Sequence, residues 1–270
     1  METPQVDRQY STGLSRYNIE QALIAAGNDL NHVQPADLDV VEDIHTLGRI
    51  ATSQLAELAE ISSHDEVLDA GSGIGGTARF LADHYRCSVT SIDLSEEYCE
   101  TARWLNRLVG LDDRISVRQG DVTDLPFAQA SFTVVMSQHV QMNVLDKTRL
   151  YQQARRVLVT GGRLAVWDIT AGTTGELDYP LPWAGQPELS HLASADELRS
   201  FIETAGFNLI HWNDLTEQAA TLMESFLSFH RAPLGLHTFI DNFADKANNL
   251  TRGLSRGRLR VIQGVAQVST

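Results

Sequence analysis

The chain is predicted to fold as one α/β domain on a seven-stranded sheet, carrying an N-terminal helical extension and a helical lid. Three observations carry that expectation. From Glu66 onward, short apolar runs alternate with helical stretches, the pattern of parallel strands joined by crossover helices. A glycine-rich turn, Val67 to Gly76, closes the first of these runs and opens a helix. A segment rich in Pro and Gly at 171–192 then interrupts the alternation, and loops of that length in compact domains are often lids or binding segments.

Taken in order, residues 17–26 form a short helix with Ile19, Leu23 and Ala26 on one face, stopped by Gly27. A second helical pattern runs over 36–60 through Leu38, Val41, Ile44, Leu47, Ala51, Leu55 and Leu58, with Gly48 as a bend. Strands are expected at 66–70, 87–92, 115–119, 132–137 and 162–168, with helices at 75–84, 95–109 and 146–158 between them. Gly161-Gly162 reads as the turn into the fifth strand. Ser194 caps a helix at 195–205 that ends at Gly206, and a strand follows at 207–212. Helical stretches at 215–230 and 235–251 precede a last strand at 258–268. The domain division is therefore 1–65 for the extension and 66–270 for the main domain, with lid elements near 171–193 and 214–256.

Composition narrows the function classes. With 43% hydrophobic and 21% charged residues, the 270-residue chain has enough apolar material for one large core. Its formal net charge of -14 argues against a nucleic-acid partner, because phosphate binding needs concentrated Lys and Arg. The four arginines at 252, 256, 258 and 260 read as a local patch. Cys87 and Cys99 have neither the spacing of a zinc site nor that of a redox pair, so no disulfide and no metal is expected. The start of the chain does not read as a signal peptide, and no apolar run approaches the ~20 residues of a membrane span. Cytoplasmic is the expectation. Oligomeric state is not legible.

The glycine turn admits two cofactors. Gly71, Gly73 and Gly76 satisfy the dinucleotide pattern, in which a helix N-terminus receives a pyrophosphate. Asp69, at the tip of the first strand, would repel a pyrophosphate but suits a ligand bearing an ammonium and a sulfonium. Asp93 ends the second strand, where a carboxylate accepts ribose hydroxyls from either cofactor. Asp121, just after the third strand, lies within reach of an adenine amino group. The combination favours S-adenosylmethionine.

The runs V-L-D-A-G-S-G-I-G-G-T-A-R-F-L-A, S-I-D-L-S, G-D-V-T-D-L-P-F and R-V-L-V-T-G-G-R-L, in this order over 66–168, closely resemble class I S-adenosylmethionine-dependent methyltransferases, a Rossmann-like family. That resemblance implies a cofactor site of Asp69, Gly71, Ser72, Gly73, Gly75, Asp93, Leu94, Asp121, Val122 and Ser137. Within the class, the chain is similar to the group of sarcosine/dimethylglycine, phosphoethanolamine and tocopherol methyltransferases. E-D-I-H at 42–45 resembles that group's entry motif, and the C-terminal R-G-L-S-R-G-R-L-R-V-I-Q-G resembles the end of dimethylglycine methyltransferases.

The methyl acceptor is expected past the C-terminal ends of the strands. There the fourth strand runs into S-Q-H-V-Q-M-N, a polar cluster directly after an apolar strand. The relatives commonly have S-Q-D-A-F-L-H-S-P-D-K, so His139 replaces an acid, Gln141 an aromatic and Asn143 a histidine, whereas Ser137, Gln138, Asp146 and Lys147 are kept. The expected substrate residues are Gln138, His139, Gln141, Asn143, Trp183, His191 and Tyr17, with Tyr10 as a further wall residue. An imidazole titrates near neutral pH, which suits a base for an amine or phenol. His139 is the expected base or acceptor-orienting group, and His45 is second. His191 is third; solvent exposure is its plain alternative, and for Trp183 the alternative is an anchor of the loop to the core.

The expected activity is therefore methyl transfer from S-adenosylmethionine to N, O or C of a small molecule, a glycine-betaine-type amine being one candidate. A C- or O-methyltransferase of a quinone, phenol or lipid-like acceptor stands beside it. A non-catalytic S-adenosylmethionine-binding regulatory protein and a nicotinamide dehydrogenase are the readings from other classes.

Overall fold

A computed structural model of the chain describes residues 13–42, 45–173, 175–227 and 235–269. Seven strands form one sheet in the order β3-β2-β1-β4-β5-β7-β6. They are β1 (Glu66–Ala70), β2 (Ser88–Asp93), β3 (Ile115–Gln119), β4 (Phe132–Gln138), β5 (Leu158–Ala171), β6 (Phe207–Asp214) and β7 (Leu259–Val268). The first five are parallel, and β7 runs antiparallel between β5 and β6. The order reverses between β1 and β2 on one side and β4 on the other. Crevices at such reversals, outside the carboxyl ends of the strands, are where ligands bind in open α/β sheets.

The helices are α1 (Ser15–Ala25), α2 (Asp39–Glu42), α3 (Gly48–Leu58), α4 (Gly76–His84), α5 (Glu96–Leu108), α6 (Lys147–Val157), α7 (Ala195–Thr204), α8 (Thr216–Leu227) and α9 (Phe243–Ser255). Their starts follow from local chemistry. The Ser95 hydroxyl accepts the Tyr98 N–H, the Asp146 carboxylate accepts the Arg149 N–H, and Ser194 and Glu197 form a reciprocal capping box. Parallel strands are buried on both faces, and alternate residues divide between two cores. Val67, Val89 and Val134 pack with Ala51, Leu55, Ala78 and Leu81 of α3 and α4. Leu68, Ile92 and Val135 pack on the other face with Leu150, Tyr151, Leu198 and Ile202 of α6 and α7.

The extension is not a separate body. Ile19, Leu23, Val33, Leu38 and Val41 share a third core with Ile74, Tyr98, Leu105 and Phe239. Glu97 of α5 ties α1 down, accepting the Gly13 and Ser15 N–H groups at 2.7 and 2.8 Å.

Beyond shifts at element ends, three elements differ in kind from expectation. The 36–60 pattern is split into a 3-10 turn (Pro35–Leu38), α2 and α3, because Leu47 takes a left-handed backbone (φ 65) that no helix tolerates. Asp43 and Ile44 lie outside the described residues. The Gly161-Gly162 pair is a bulge inside β5 rather than a turn before it, since Phe132 pairs Leu158 and Val134 pairs Arg163. The 235–251 stretch is helical only from Phe243, after a 3-10 turn at Leu236–Thr238.

Candidate active site

The glycine loop after β1 spends its own N–H groups. Gly71 and Ser72 donate to the Ile92 carbonyl (2.8 and 3.0 Å), Gly73 to Asp93 Oδ2 (2.7 Å) and Gly75 to the Ser72 carbonyl (2.9 Å). Gly71, Gly73 and Gly75 all have positive φ, which glycine adopts without strain. A loop built to cradle pyrophosphate keeps such donors free at the helix N-terminus. This one does not. What it offers instead is oxygen: Asp69 at the end of β1, Asp93 at the end of β2 and the Ser72 hydroxyl, which is buried without a partner among the described residues. These groups fit an adenosine hydroxyl and an ammonium group better than a diphosphate.

Asp93 is the hinge of this half. One carboxylate oxygen holds Gly73 N–H and the other holds Ser95 N–H at 2.9 Å, so the glycine loop and the start of α5 are fixed by one side chain. Behind the loop, Arg79 is buried and donates to the Ile74 carbonyl (2.7 Å) and to Asn106 Oδ1 (2.9 Å). Leu94 and Val122 are half-buried. Asp121 is also half-buried, and its Oδ1 accepts both the N–H and the hydroxyl of Thr123 at 2.7 Å. Ser137 is buried and lines a small apolar cavity with Ala70, Val135 and Tyr151.

Directly after β4, His139 takes a left-handed backbone (φ 56). Its N–H donates to the Trp167 carbonyl of β5 at 2.8 Å. The left-handed Leu47 brings the preceding residue, Thr46, over it. His139 Nε2 lies 3.3 Å from the Thr46 N–H nitrogen and 3.0 Å from Thr46 Oγ1, and Thr46 Oγ1 accepts Trp167 Nε1–H at 2.9 Å. His45 sits beside it, with ring centroids 6.0 Å apart. Gln138 links the two halves: its amide nitrogen donates to His45 Nε2 (3.2 Å) and its oxygen accepts the Thr77 hydroxyl (2.8 Å). Burial, and secondarily the neighbouring His45, holds the His139 imidazole well below its ordinary pKa.

Two expected acceptor residues face inward. Gln141 is fully buried, and its amide donates to the Ile169 carbonyl at 2.5 Å. Trp183 is 2% exposed, packs into the main core and donates Nε1–H to Ser190 Oγ at 2.9 Å. In this geometry the tryptophan anchors the 171–192 loop. His191 joins that loop to the acceptor side, since its N–H donates to the Met142 carbonyl (2.8 Å) and its carbonyl accepts Lys147 Nζ. Asn143 is half-buried, while Tyr17 is 59% exposed on α1. Tyr10 lies outside the described residues.

The structure also brings in residues that motif reading passes over. Thr46 and Thr52 become partners of the two histidines only once the extension folds over β4. Asp168, inside the apolar run L-A-V-W-D-I-T, is fully buried and accepts the Val140 N–H at 3.0 Å. A carboxylate in such a run is a signal that was available in the sequence. Burial pushes its pKa up to about 8, against the hydrogen bonds from Val140 and Gln141 and the charge of Lys147. Both cysteines are buried free thiols, pushed up by burial to about 11 for Cys87 and about 12 for Cys99. Among the described residues, no group of three or more His, Cys, Asp or Glu is placed to hold a metal ion. No described helix is long and apolar enough to cross a membrane.

A methyltransferase-domain family model matches residues 68–166, the span that holds the glycine loop, Asp93, Asp121 and His139. That span is a methyltransferase domain, and with this site and this sheet order the chain is similar to the class I S-adenosylmethionine-dependent methyltransferases. Its likeness within the class is to the sarcosine/dimethylglycine group. It is 32% identical to the glycine/sarcosine/dimethylglycine N-methyltransferase of Actinopolyspora halophila, over 65% of this chain and 31% of that protein. It is 29% identical to the sarcosine/dimethylglycine N-methyltransferase of Halorhodospira halochloris, over 81% of this chain and 80% of that one. The chain thus spans about a third of the first relative's length. The crystal structure of the cyclase SpnF superposes with a TM-score of 0.70 at 18% identity, covering 99% of this chain and 97% of that one. At that identity the match speaks for the fold alone.

Proposed function

We propose that this protein transfers a methyl group from S-adenosylmethionine to a nucleophilic N, O or C atom of a small molecule. The carrying observation is the glycine loop, which spends the N–H groups of Gly71, Ser72, Gly73 and Gly75 within the protein and presents acidic and hydroxyl oxygens near the histidines past β4. Asp93 would hold the ribose, Asp69 the ammonium end, and Leu94, Asp121 and Val122 the adenine. When bound, S-adenosylmethionine supplies a sulfonium-activated methyl group, so the protein's task is alignment and exclusion of water.

His139, His45 and Gln138 orient the acceptor from the β4 end, while Trp183 and His191 hold the 171–192 loop against it. The two named N-methyltransferase relatives make a glycine-betaine-type amine the first acceptor to test. The changed residues His139, Gln141 and Asn143 leave a C- or O-methyl acceptor as the second. A cytoplasmic setting suits two buried, unpaired thiols.

The test is incubation with methyl-labelled S-adenosylmethionine and sarcosine, dimethylglycine or a metabolite extract. Labelled product with matching S-adenosylhomocysteine is expected. Cofactor binding without labelled product in any arm would establish a non-transferase role, a live alternative on a sheet shared with a protein described as a cyclase. NADH binding without S-adenosylhomocysteine binding would overturn the cofactor assignment.

A further inference from the structure

The geometry points to Thr46 as a positioning residue that fixes His139 in its Nδ1–H tautomer, leaving that N–H as a donor at the acceptor side and removing His139 as a base. The inference rests on the methyl-transfer reading for its meaning, but its geometry stands apart from it. A backbone N–H can only donate, and the Thr46 N–H faces His139 Nε2 at 3.3 Å. The Thr46 oxygen already accepts the Trp167 indole N–H at 2.9 Å, so its own hydrogen is free to point at Nε2, 3.0 Å away. Two donors converge on one ring nitrogen. Nε2 must therefore hold its lone pair, and in a neutral imidazole the proton then sits on Nδ1.

Every hydrogen bond of the His139 side chain runs through Nε2, and among the described residues Nδ1 has no partner. A second proton on Nε2 would oppose the Thr46 N–H directly. His45, the titratable neighbour, is arranged alike: the Gln138 amide nitrogen faces its Nε2, so its lone pair is used within the protein. Neither Nε2 is open to take a proton from an acceptor. What the site offers at His139 is a donor, which fits an acceptor molecule with a lone pair beside the atom that is methylated. Deprotonation of that molecule is not His139's work.

The experiment is imidazole 15N NMR on the histidine-labelled, ligand-free protein, with Thr46→Val and Thr46→Ser alongside. In the parent, Nε2 is expected at the unprotonated position and Nδ1 at the protonated one. The two hydrogen bonds together favour that tautomer by roughly tenfold or more. Thr46→Val removes the hydroxyl donor and keeps the backbone one, so both resonances should move part of the way toward the averaged position while the Trp167 indole N–H shifts, and Thr46→Ser should restore all three. Protonated Nε2 in the parent would overturn the inference, and unchanged His139 shifts in a folded Thr46→Val would overturn the hydroxyl's part in it. A failure of methyl transfer with these shifts intact would instead count against the proposed activity alone.

Discussion

The Val140 side chain closes directly over Gly71: a Cβ placed on Gly71 would lie 2.4 Å from Val140 Cγ2. The glycine loop and the loop after β4 therefore touch at a point where one has no side chain. Val140 is held in place from behind by Asp168, which accepts its N–H. The two halves of the site are assembled by this contact rather than by sequence proximity.

Gly71→Ala should consequently damage both halves. The added methyl collides with Val140, and the backbone must stay at φ 80, where alanine is strained. A loss of about 1–3 kcal/mol in stability is expected, by analogy with overpacked sites. S-adenosylhomocysteine affinity, read by calorimetry, should fall at least tenfold. Adding Val140→Ala should recover part of the stability but not the backbone strain.

Asp93→Asn tests the hinge. An asparagine amide must turn its NH2 toward either the Gly73 or the Ser95 N–H, setting donor against donor. Urea unfolding should show a loss of about 1–3 kcal/mol for the unsatisfied group. S-adenosylhomocysteine binding should weaken more than stability does, and equal stability and affinity to the parent would remove Asp93 from the site.

Asp168 and Lys147 give a definite pH profile. An unfolded aspartate releases its proton near pH ~4, whereas folded Asp168 retains it up to about 8. Between those values the folded state binds more protons, so this group's contribution to stability falls as pH rises. Lys147 is pushed down by burial to about 8, below an unfolded value near ~10.4, so its contribution rises with pH above 8. Asp168→Asn keeps an oxygen for the Val140 N–H and abolishes the first effect. It should gain on the parent by about 1–3 kcal/mol between pH 4 and 8, measured by urea unfolding across that window. A parallel pair of curves would refute the assignment.

For the lid, Trp183→Ala should cost about 3–5 kcal/mol, as loss of a buried aromatic does. Trp183→Phe should cost less, about 1–2 kcal/mol, because only the bond to Ser190 is lost. If Trp183 merely lined an open pocket, Trp183→Ala would alter acceptor binding with little change in stability.

Local patterns carried most of the fold. The strands at 66–70 and 115–119 match β1 and β3 residue for residue, and the Ser194 capping box was visible in S-A-D-E. The exceptions share a cause. Leu47 and His139 adopt left-handed backbone that nothing in a leucine or a histidine announces, and each is held there by what packs on it. The bulge at Gly161 was read as a turn because glycine pairs mark both, and only the register with β4 separates them.

The sequence by itself carried the likeness to the methyltransferases and the positions of Asp69, Gly71, Asp93 and His139 at strand ends, since these are written in short segments. Asp69, Gly71 and Asp93 lie within one strand–helix–strand unit, where spacing along the chain becomes position in space. The tertiary structure decided the chemistry available to His139. That choice depends on Thr46 and Trp167, residues 93 and 121 positions from their partners. A hydrogen-bond donor arriving from so far along the chain leaves no periodicity or motif behind it, and it is this donor that turns an expected base into a fixed N–H.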